Sequence, residues 1–433
     1  MRVFVLAYGT RGDVQPMAAL ALALRRAGHE PLLAAPASFG ALAEAHGLPF
    51  AALDEGILKL WSAPEMHETA GHGKGGLASM RAYAGYVRHM RPALRRLLDG
   101  AWTAAAGSGA DLVVHSPVAI AGPHVAERLG VPGVIAALDP LYVPTREFAN
   151  PLFLAPSWLP AALNRLTHVA FVRGQLRLAG LGLDRWRAET LGLPRRRGRH
   201  ALLRGPDGRP VPVLNQVSRH VMTPPADWPS TVHTTGYWYL PAPPDWTPPP
   251  ELSAFLAAGE RPVYIGFGSV VGYDPAGMGR LVLDAVRRAG VRAVVVTGWG
   301  GIAPGTDLPE TVLAIDQAPH DWLLPRMSTV VHHAGGTTWT AVAAGRPQVV
   351  CPSIGDQPFW ARRLHALGVA PAPVPAALLT AEALAAAIQA ARADPGMVTR
   401  AGELADRIAA EDGGAAAVAA LEKIHAEKVY AGR

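Results

Sequence analysis

MRVFVLAYGTRGDVQPMAALALALRRAGHEPLLAA, residues Met1–Ala35, is the stretch whose reading decides the fold. Residues 2–8 are a short apolar run closed by Gly9, the pattern of a parallel strand buried on both faces. The segment GTRGDVQP (9–16) reads as a loop, and MAALALALRRAG after it is rich in the strong helix formers alanine and leucine. Pro16 suits the first turn of that helix and Gly28 its stop. PLLAA (31–35) supplies a second strand. Strand, loop, helix and strand in that order open a doubly wound α/β domain, whose ligands bind beyond the carboxyl ends of the strands.

The same alternation runs outward from this opening. Leu112–His115 and Val134–Ala137 read as strands with a helix around Pro123–Leu129 between them. Residues 55–100 and 141–200 carry more aromatics, Gly and Pro, as inserted helices and loops that present a ligand surface do. Trp61, Tyr83, Tyr86, Trp158 and Phe171 in these stretches either line an apolar pocket or belong to the core. PAPPDWTPPP (241–250) is a semi-rigid proline-rich connector. Beyond it, strands are expected at 263–267, 293–297, 312–315, 329–332 and 348–351, and helices at 276–289, 337–344 and 357–367. Thr380 then caps a helix ending near Asp394, and two helical segments close the chain near 397–410 and 414–427. The chain thus divides into a domain over 1–240, a linker over 241–250, a second α/β domain over 251–409 and a tail over 410–433. A cleft between two such domains is a favoured place for a small ligand.

Composition agrees with two soluble domains: 433 residues, half of them apolar, with both signs of charge present. The single cysteine, Cys351, excludes a disulfide framework and a Cys-based zinc site within the chain, and a reducing, cytoplasmic location is expected. The first residues are not a signal peptide, and no run of about 20 apolar residues forms a transmembrane helix. A net charge of +6 suits nucleic acid, a membrane surface or a phosphorylated ligand. No nucleic-acid module is present, so nucleic acid is not an expected partner. The densest basic cluster, Arg195, Arg196, Arg197 and Arg199, is either a solvated loop or a weak contact with an anionic membrane. Nothing in the sequence sets the oligomeric state.

The chemistry concentrates in VVHHAGGTTWTAVAAGRPQVVCPSIGDQPFWARR, Val330–Arg363. A strand ends in His332 and His333, small residues follow (Ala334, Gly335, Gly336), and Thr337 and Thr338 open a helix. Glycines admit close backbone approach and a helix start presents unpaired N–H groups, which together suit a diphosphate, although a βα turn that merely needs glycine reads the same way. Asp356 and Gln357 directly follow the next strand. A carboxylate beside an amide accepts from and donates to vicinal hydroxyls, and a helix N-cap is the alternative role for Asp356.

These motifs resemble the donor-binding signature of the UDP-glycosyltransferase family (glycosyltransferase family 1), closest to its bacterial natural-product and sterol glucosyltransferase branch. HHAGGTT (332–338) is one residue shorter than the branch's HHGGAGTT, and GDQPFW (355–360) stands as in the branch. GTRGDVQP (9–16), GPHVAERLGVP (122–132), TGYW (235–238), FGS (267–269) and PHDWLLP (319–325) also resemble the family, in family order, so nearly the whole chain is covered. The resemblance implies a GT-B fold: two Rossmann-like domains facing a central cleft, acceptor on the first, donor on the second, and a last helix from about 410 crossing back to the first. It implies an inverting, metal-independent hexosyltransferase with a nucleotide-sugar co-substrate, no resident cofactor, and a lipophilic acceptor such as a secondary metabolite or a sterol. It assigns the diphosphate to His333, Gly335, Gly336, Thr337, Thr338 and Ser269, the sugar hydroxyls to Asp356 and Gln357, and the base to the region Gln317–His320. Gln317 stands where many relatives carry a base-stacking Trp, which leaves UDP and dTDP both open.

The acceptor hydroxyl must lose its proton as it attacks, and Asp13, beyond the first strand, is the expected base, with helix capping as a compatible second role. Its neighbours Thr10, Arg11 and Gly12 form a loop at the cleft, near the phosphates. His29 reads as a turn residue, and His115 and His124 as packing residues or part of an acceptor pocket. GHGKGG (71–76) lacks the Ser or Thr of a P-loop, and GWGG (298–301) lacks the full dinucleotide fingerprint. Two rival classes are a nucleotide-sugar epimerase of the same fold and a catalytically silent partner of a transferase.

Overall fold

The computed structural model describes residues 1–61, 77–153, 160–179, 182–194, 202–267, 274–298, 302–305 and 307–431. Ser269, Trp158, Gly71–Gly76 and the cluster at 195–199 lie outside them, as do the side chains of Trp61, Tyr83 and Tyr86.

Seven strands form the first sheet: β1 (Arg2–Leu6), β2 (Glu30–Pro36), β3 (Phe50–Leu53), β4 (Leu112–His115), β5 (Gly133–Ala137), β6 (Val213–Asn215) and β7 (Val232–Thr234). They lie in the order β3-β2-β1-β4-β5-β6-β7, with every pair parallel. Five strands form the second: β8 (Val263–Ile265), β9 (Ala293–Val296), β10 (Val312–Ile315), β11 (Thr329–His332) and β12 (Gln348–Val350). Their order is β10-β9-β8-β11-β12, again all parallel. Strands covered by helices on both faces must be apolar throughout, and Val3, Phe4, Val5 and Leu6 are each 1% exposed or less. In both sheets the strand order reverses beside the first strand, between β1 and β4 and between β8 and β11. A doubly wound sheet opens a crevice at that point.

The first helix begins at Arg11, not after Pro16, so most of the expected loop 9–16 is helical and Pro16 lies inside the helix Arg11–Arg26. The start is set by Thr10 and Asp13. The Thr10 backbone N–H donates to Asp13 Oδ2 at 2.8 Å, and Asp13 N–H donates to the Thr10 carbonyl at 2.9 Å. This reciprocal cap supplies two of the partners a helix start lacks. The helix then buries Val14, Met17, Leu20 and Leu24 against β1 and β2.

The last helix, Gly413–Ala431, packs on the first domain although it follows the second in sequence. Ala417, Val418, Leu421 and Ile424 share one core with Val14, Met17 and Leu20, and His29 Nε2 lies 3.0 Å from Glu422. Between the domains runs an aromatic seam. Tyr237 stacks on Trp339 with ring centroids 4.7 Å apart, Trp339 meets Trp360 edge-on at 4.5 Å, and Phe148 meets Phe359 at 5.5 Å. Such pairs bury large rings and fix their mutual orientation. The seam brings the carboxyl ends of the two sheets to face one another. Phe171 rests on Tyr142 at 5.7 Å within a small cluster that includes Leu141 and Val172, while His115 and His124 are buried. His124 Nδ1 meets Arg187, whose guanidinium is paired with Glu127 at 2.9 Å, which is packing rather than a ligand surface.

Candidate active site

On the second domain, β11 delivers His332 and His333 to the crevice, and the structure separates their roles. His332 is fully buried, with Nε2 2.7 Å from Gln348 Oε1 and Nδ1 accepting from the Ala334 N–H at 3.0 Å. Both ring nitrogens are spent on the fold, and burial pushes the imidazole down to about 3. His333 is 9% exposed, and among the described residues nothing meets its Nδ1. Burial lowers this ring to about 4, so it is neutral at pH 7 and acts as a hydrogen-bond donor without charge. A Cβ at Gly335 would lie 2.4 Å from His333 Nε2, so only glycine lets the backbone pass under the ring. Ala334, just before it, holds a left-handed φ of 70°, a conformation that costs a side chain roughly 1–2 kcal/mol. The helix Thr337–Ala343 then opens with both threonines buried. Thr337 hydrogen-bonds Tyr264, and the Thr338 hydroxyl has no partner among the described residues. The His333 Nδ1 and the Thr338 hydroxyl, both buried and without partners among the described residues, thus flank a loop of small residues.

The first domain closes over this loop. Gly12 Cα lies 3.6 Å from where a Cβ of Gly336 would stand. Arg11 reaches across: its Nη1 donates to Gln317 Oε1 at 3.0 Å, while its Nε donates to Gln15 Oε1 at 2.9 Å. Burial holds the Arg11 guanidinium below its ordinary value, and no carboxylate pairs with it among the described residues. Asp13 lies beneath, partly open to the cleft but surrounded by protein. Burial raises its carboxyl to about 6, against the opposing hydrogen bonds from Thr10, and the charge of Asp356 adds to the rise. A Cβ at Gly9 would come within 2.2 Å of Asp13 Oδ2, and Gly9 has φ 131°, so glycine is required there on both counts.

Asp356 and Gln357 follow β12 and start the helix Gln357–Ala366. Asp356 is not its side-chain cap. Its Oδ2 instead accepts from the Trp360 indole N–H at 2.8 Å. Gln357 is 7% exposed and its Oε1 accepts from the backbone N–H groups of Ser353 (2.8 Å) and Ile354 (3.1 Å), which leaves its amide NH₂ as the free end. Opposite stands a residue the sequence reading passed over. Asp139, two residues beyond β5, lies within hydrogen-bond reach of Asp356 and of the Trp360 indole. Burial first, and then the charges of Asp356 and Asp13, push its carboxyl well above the ordinary range, and burial raises Asp356 as well. Two carboxyls in contact disfavour each other's ionised form. The rule that selected Asp13, a carboxylate just past the carboxyl end of a central strand, selects Asp139 too.

Fold and site together define a class: two doubly wound domains face a cleft, with a loop of small residues and unpartnered buried polar groups on one side and buried carboxyls on the other. Comparison with known proteins gives the family. Residues 3–145 match the model of the glycosyltransferase family 28 N-terminal domain, and residues 280–424 match that of the erythromycin biosynthesis protein CIII-like C-terminal domain. The chain is 34% identical to a sterol 3-beta-glucosyltransferase of Emericella nidulans and 34% identical to one of Penicillium rubens, each match covering 97% of this chain. The chain spans 30% of the length of these curated relatives. Among solved structures, the Streptomyces sp. SF2575 glycosyltransferase SsfS6 is similar at 25% identity with a TM-score of 0.60, covering 98% of this chain and 99% of that one. The calicheamicin glycosyltransferase CalG4 shares the fold at 19% identity and a TM-score of 0.66, with 98% of each chain covered. The chain belongs to the UDP-glycosyltransferase family and has its GT-B fold.

Proposed function

We propose that this chain transfers a sugar from a UDP- or dTDP-linked donor to a hydroxyl of a lipophilic small molecule, with inversion at the anomeric carbon. The observation that carries the reading is the meeting of two helix starts across the cleft: Gly12, beside Asp13, lies against Gly336, on the loop that follows His333. A base on one domain and a leaving-group site on the other then flank one point. The donor diphosphate lies on the loop Ala334–Thr338, taking hydrogen bonds from His333, Thr338 and the loop backbone, with Arg11 supplying positive charge from the opposite domain. Asp356 accepts from, and the Gln357 NH₂ donates to, the donor-sugar hydroxyls. Gln317, held by Arg11, borders the base. Asp13 takes the proton of the acceptor hydroxyl as its oxygen attacks the anomeric carbon; the bond to the diphosphate breaks and the diphosphate leaves with the electron pair. One displacement inverts the centre, so an α-linked donor gives a β-glycoside. We place the reaction in the cytoplasm, in keeping with the single, buried Cys351.

The curated relatives, described as sterol 3-beta-glucosyltransferases, favour a sterol-like acceptor and a glucose donor, and the solved neighbours from antibiotic producers favour a secondary metabolite. Calorimetric titration with UDP, dTDP, UDP-glucose and a dTDP-deoxysugar tests the donor half. One nucleotide is expected to bind, His333→Ala to weaken every form of it, and Asp356→Ala to weaken only the sugar-bearing form. Failure of the folded protein to bind any of the four overturns the reading.

A further inference from the structure

Seven large hydrophobic side chains are exposed among the described residues, and four of them, Phe153, Leu163, Leu166 and Ile354, sit on segments linked to one another by hydrogen bonds and packing. Leu163 and Leu166 belong to the helix Ala161–Ala179. Its inner side is tied down: Asn164 Nδ2 donates to the Arg146 carbonyl at 2.9 Å, the Asn150 N–H donates to Thr167 Oγ1 at 2.8 Å, and Phe171 rests on Tyr142. Phe153 lies one turn beyond Asn150, its N–H donating to the Asn150 carbonyl at 2.8 Å. Ile354 enters from the other domain, because its neighbour Gly355 lies against Leu152. Tyr142, on which Phe171 rests, lies within electrostatic reach of Asp139, Asp13 and Asp356, so the four stand on segments that border the site.

The outer face of that helix has a definite composition. Leu163, Leu166, Ala170, Arg173 and Arg177 follow one another at helical spacing and are all exposed. The helix carries three arginines, Arg165, Arg173 and Arg177, and no acidic residue. Asp227 lies near Arg165, but its carboxylate is engaged by the Thr145 hydroxyl and the Arg146 N–H. The exposed Glu147 accepts from the Ala226 N–H. Arg173 and Arg177 have no carboxylate partner among the described residues. An outward face that is apolar at one end and basic at the other suits a surface that offers both acyl chains and anionic headgroups.

We infer that this face, Phe153 and Ile354 with the outer side of Ala161–Ala179, docks the protein on an anionic phospholipid surface. The apolar end enters the headgroup boundary and the arginines meet the headgroups. Docking there sets the rim of the acceptor-side cleft against the lipid, from which a lipophilic molecule passes to the site without crossing water. The inference goes beyond the transferase reading and stands apart from it, since lipid binding is read without any substrate.

Flotation of the full chain with phosphatidylcholine vesicles, with and without phosphatidylglycerol, tests it. Binding is expected only with phosphatidylglycerol present and is expected to fall with added salt, because exposed charges are screened. Each basic residue near an anionic leaflet is worth about fivefold in partitioning, so Arg173→Ala with Arg177→Ala lowers binding roughly 25-fold. Leu163→Ser with Leu166→Ser lowers it at least as far. Both double variants change surface residues, so thermal unfolding and UDP titration serve as controls and are expected to match the parent. No binding to phosphatidylglycerol vesicles, or binding that both double variants retain in full, overturns the inference. So does equal binding to both kinds of vesicle. A concentration-dependent dimer that Leu163→Ser with Leu166→Ser abolishes assigns the face to a second copy of this chain instead.

Discussion

Asp13 is asked to be a base and a helix cap at once, and the two tasks give opposite responses to one substitution. Burial raises its carboxyl from the ordinary 3.8 to about 6, a rise of about 2 units. At 1.36 kcal/mol per unit, the ionised carboxylate costs the folded state about 3 kcal/mol relative to the unfolded one. The folded-state value lies above the unfolded one, so this stability is fully present below about pH 3.8, declines as pH rises and is gone above about 6. Asp13→Asn removes the charge and keeps an oxygen to accept from the Thr10 N–H, so the cap survives. The variant is therefore expected to be more stable than the parent by up to about 3 kcal/mol near pH 8, and equal to it near pH 4. Its transfer rate is expected to fall roughly 100- to 10,000-fold, the range that general-base catalysis supplies. The parent's kcat/KM should in turn fall on the acid side with a midpoint at about 6, and the variant's residual rate should show no such limb. Urea unfolding of both proteins from pH 4 to 8, beside initial-rate profiles over the same range, reads all of this. A stability gap that does not change with pH, or a parent profile flat through 6, refutes the assignment of a buried, ionising base to Asp13.

Three further outcomes are expected. Because burial holds His333 at about 4, its ring is neutral from pH 5 to 8; UDP affinity should be flat over that range and drop roughly tenfold in His333→Ala, whereas affinity that climbs steeply as pH falls towards 6 would show a charged imidazole. Burial and the charges of Asp356 and Asp13 hold the Asp139 carboxyl well above its ordinary range, so Asp139→Asn, which removes the ionisable group and keeps its shape, should leave donor affinity at neutral pH within about twofold of the parent. The same variant should change how donor KM varies with pH, because Asp356 then has no carboxyl neighbour; a variant profile identical to the parent's speaks against the pair. Ala334→Val forces a β-branched side chain into the left-handed region and should cost more than about 2 kcal/mol by chemical denaturation. Ala334→Gly trades that strain for a lost buried methyl of about 0.8 kcal/mol and should stay within about 1 kcal/mol of the parent.

The partly exposed β3 and β7 and the three-residue β6 went unread, whereas the other nine strands were legible as unbroken apolar runs: β4, β10 and β11 stand at the residues expected, and the remaining six differ by one or two positions at an end. The start of the first helix was not, because Pro16 advertises a helix beginning more strongly than Thr10 and Asp13 do. Proline in the second turn is tolerated where a reciprocal cap has already started the helix. Thr380 shows the opposite case, a cap whose side chain does accept from the Ala383 N–H at 3.1 Å, as its residue type and position indicated.

Within the site, sequence could set His332 and His333 side by side but not tell them apart. The difference lies in Gln348 on the neighbouring strand, which claims one ring and leaves the other. The same holds for Gln357, whose residue type promises both an acceptor and a donor, although its own loop consumes the acceptor. Asp139 is the strongest instance. In sequence, Leu138-Asp139-Pro140 is an ordinary turn after a strand, and nothing near it is acidic. Its chemistry arises only because the aromatic seam of Tyr237, Trp339 and Trp360 sets the second domain where Asp356 meets it, with one indole N–H between them. A pair assembled across two domains leaves no spacing in either one. Its proton therefore depends on how the domains sit: if they part when donor enters or product leaves, Asp139 and Asp356 each return towards ordinary carboxylate behaviour. Conditions that ionise the pair should then favour the parted arrangement, linking the pH dependence of donor binding to the seam rather than to the sugar site alone.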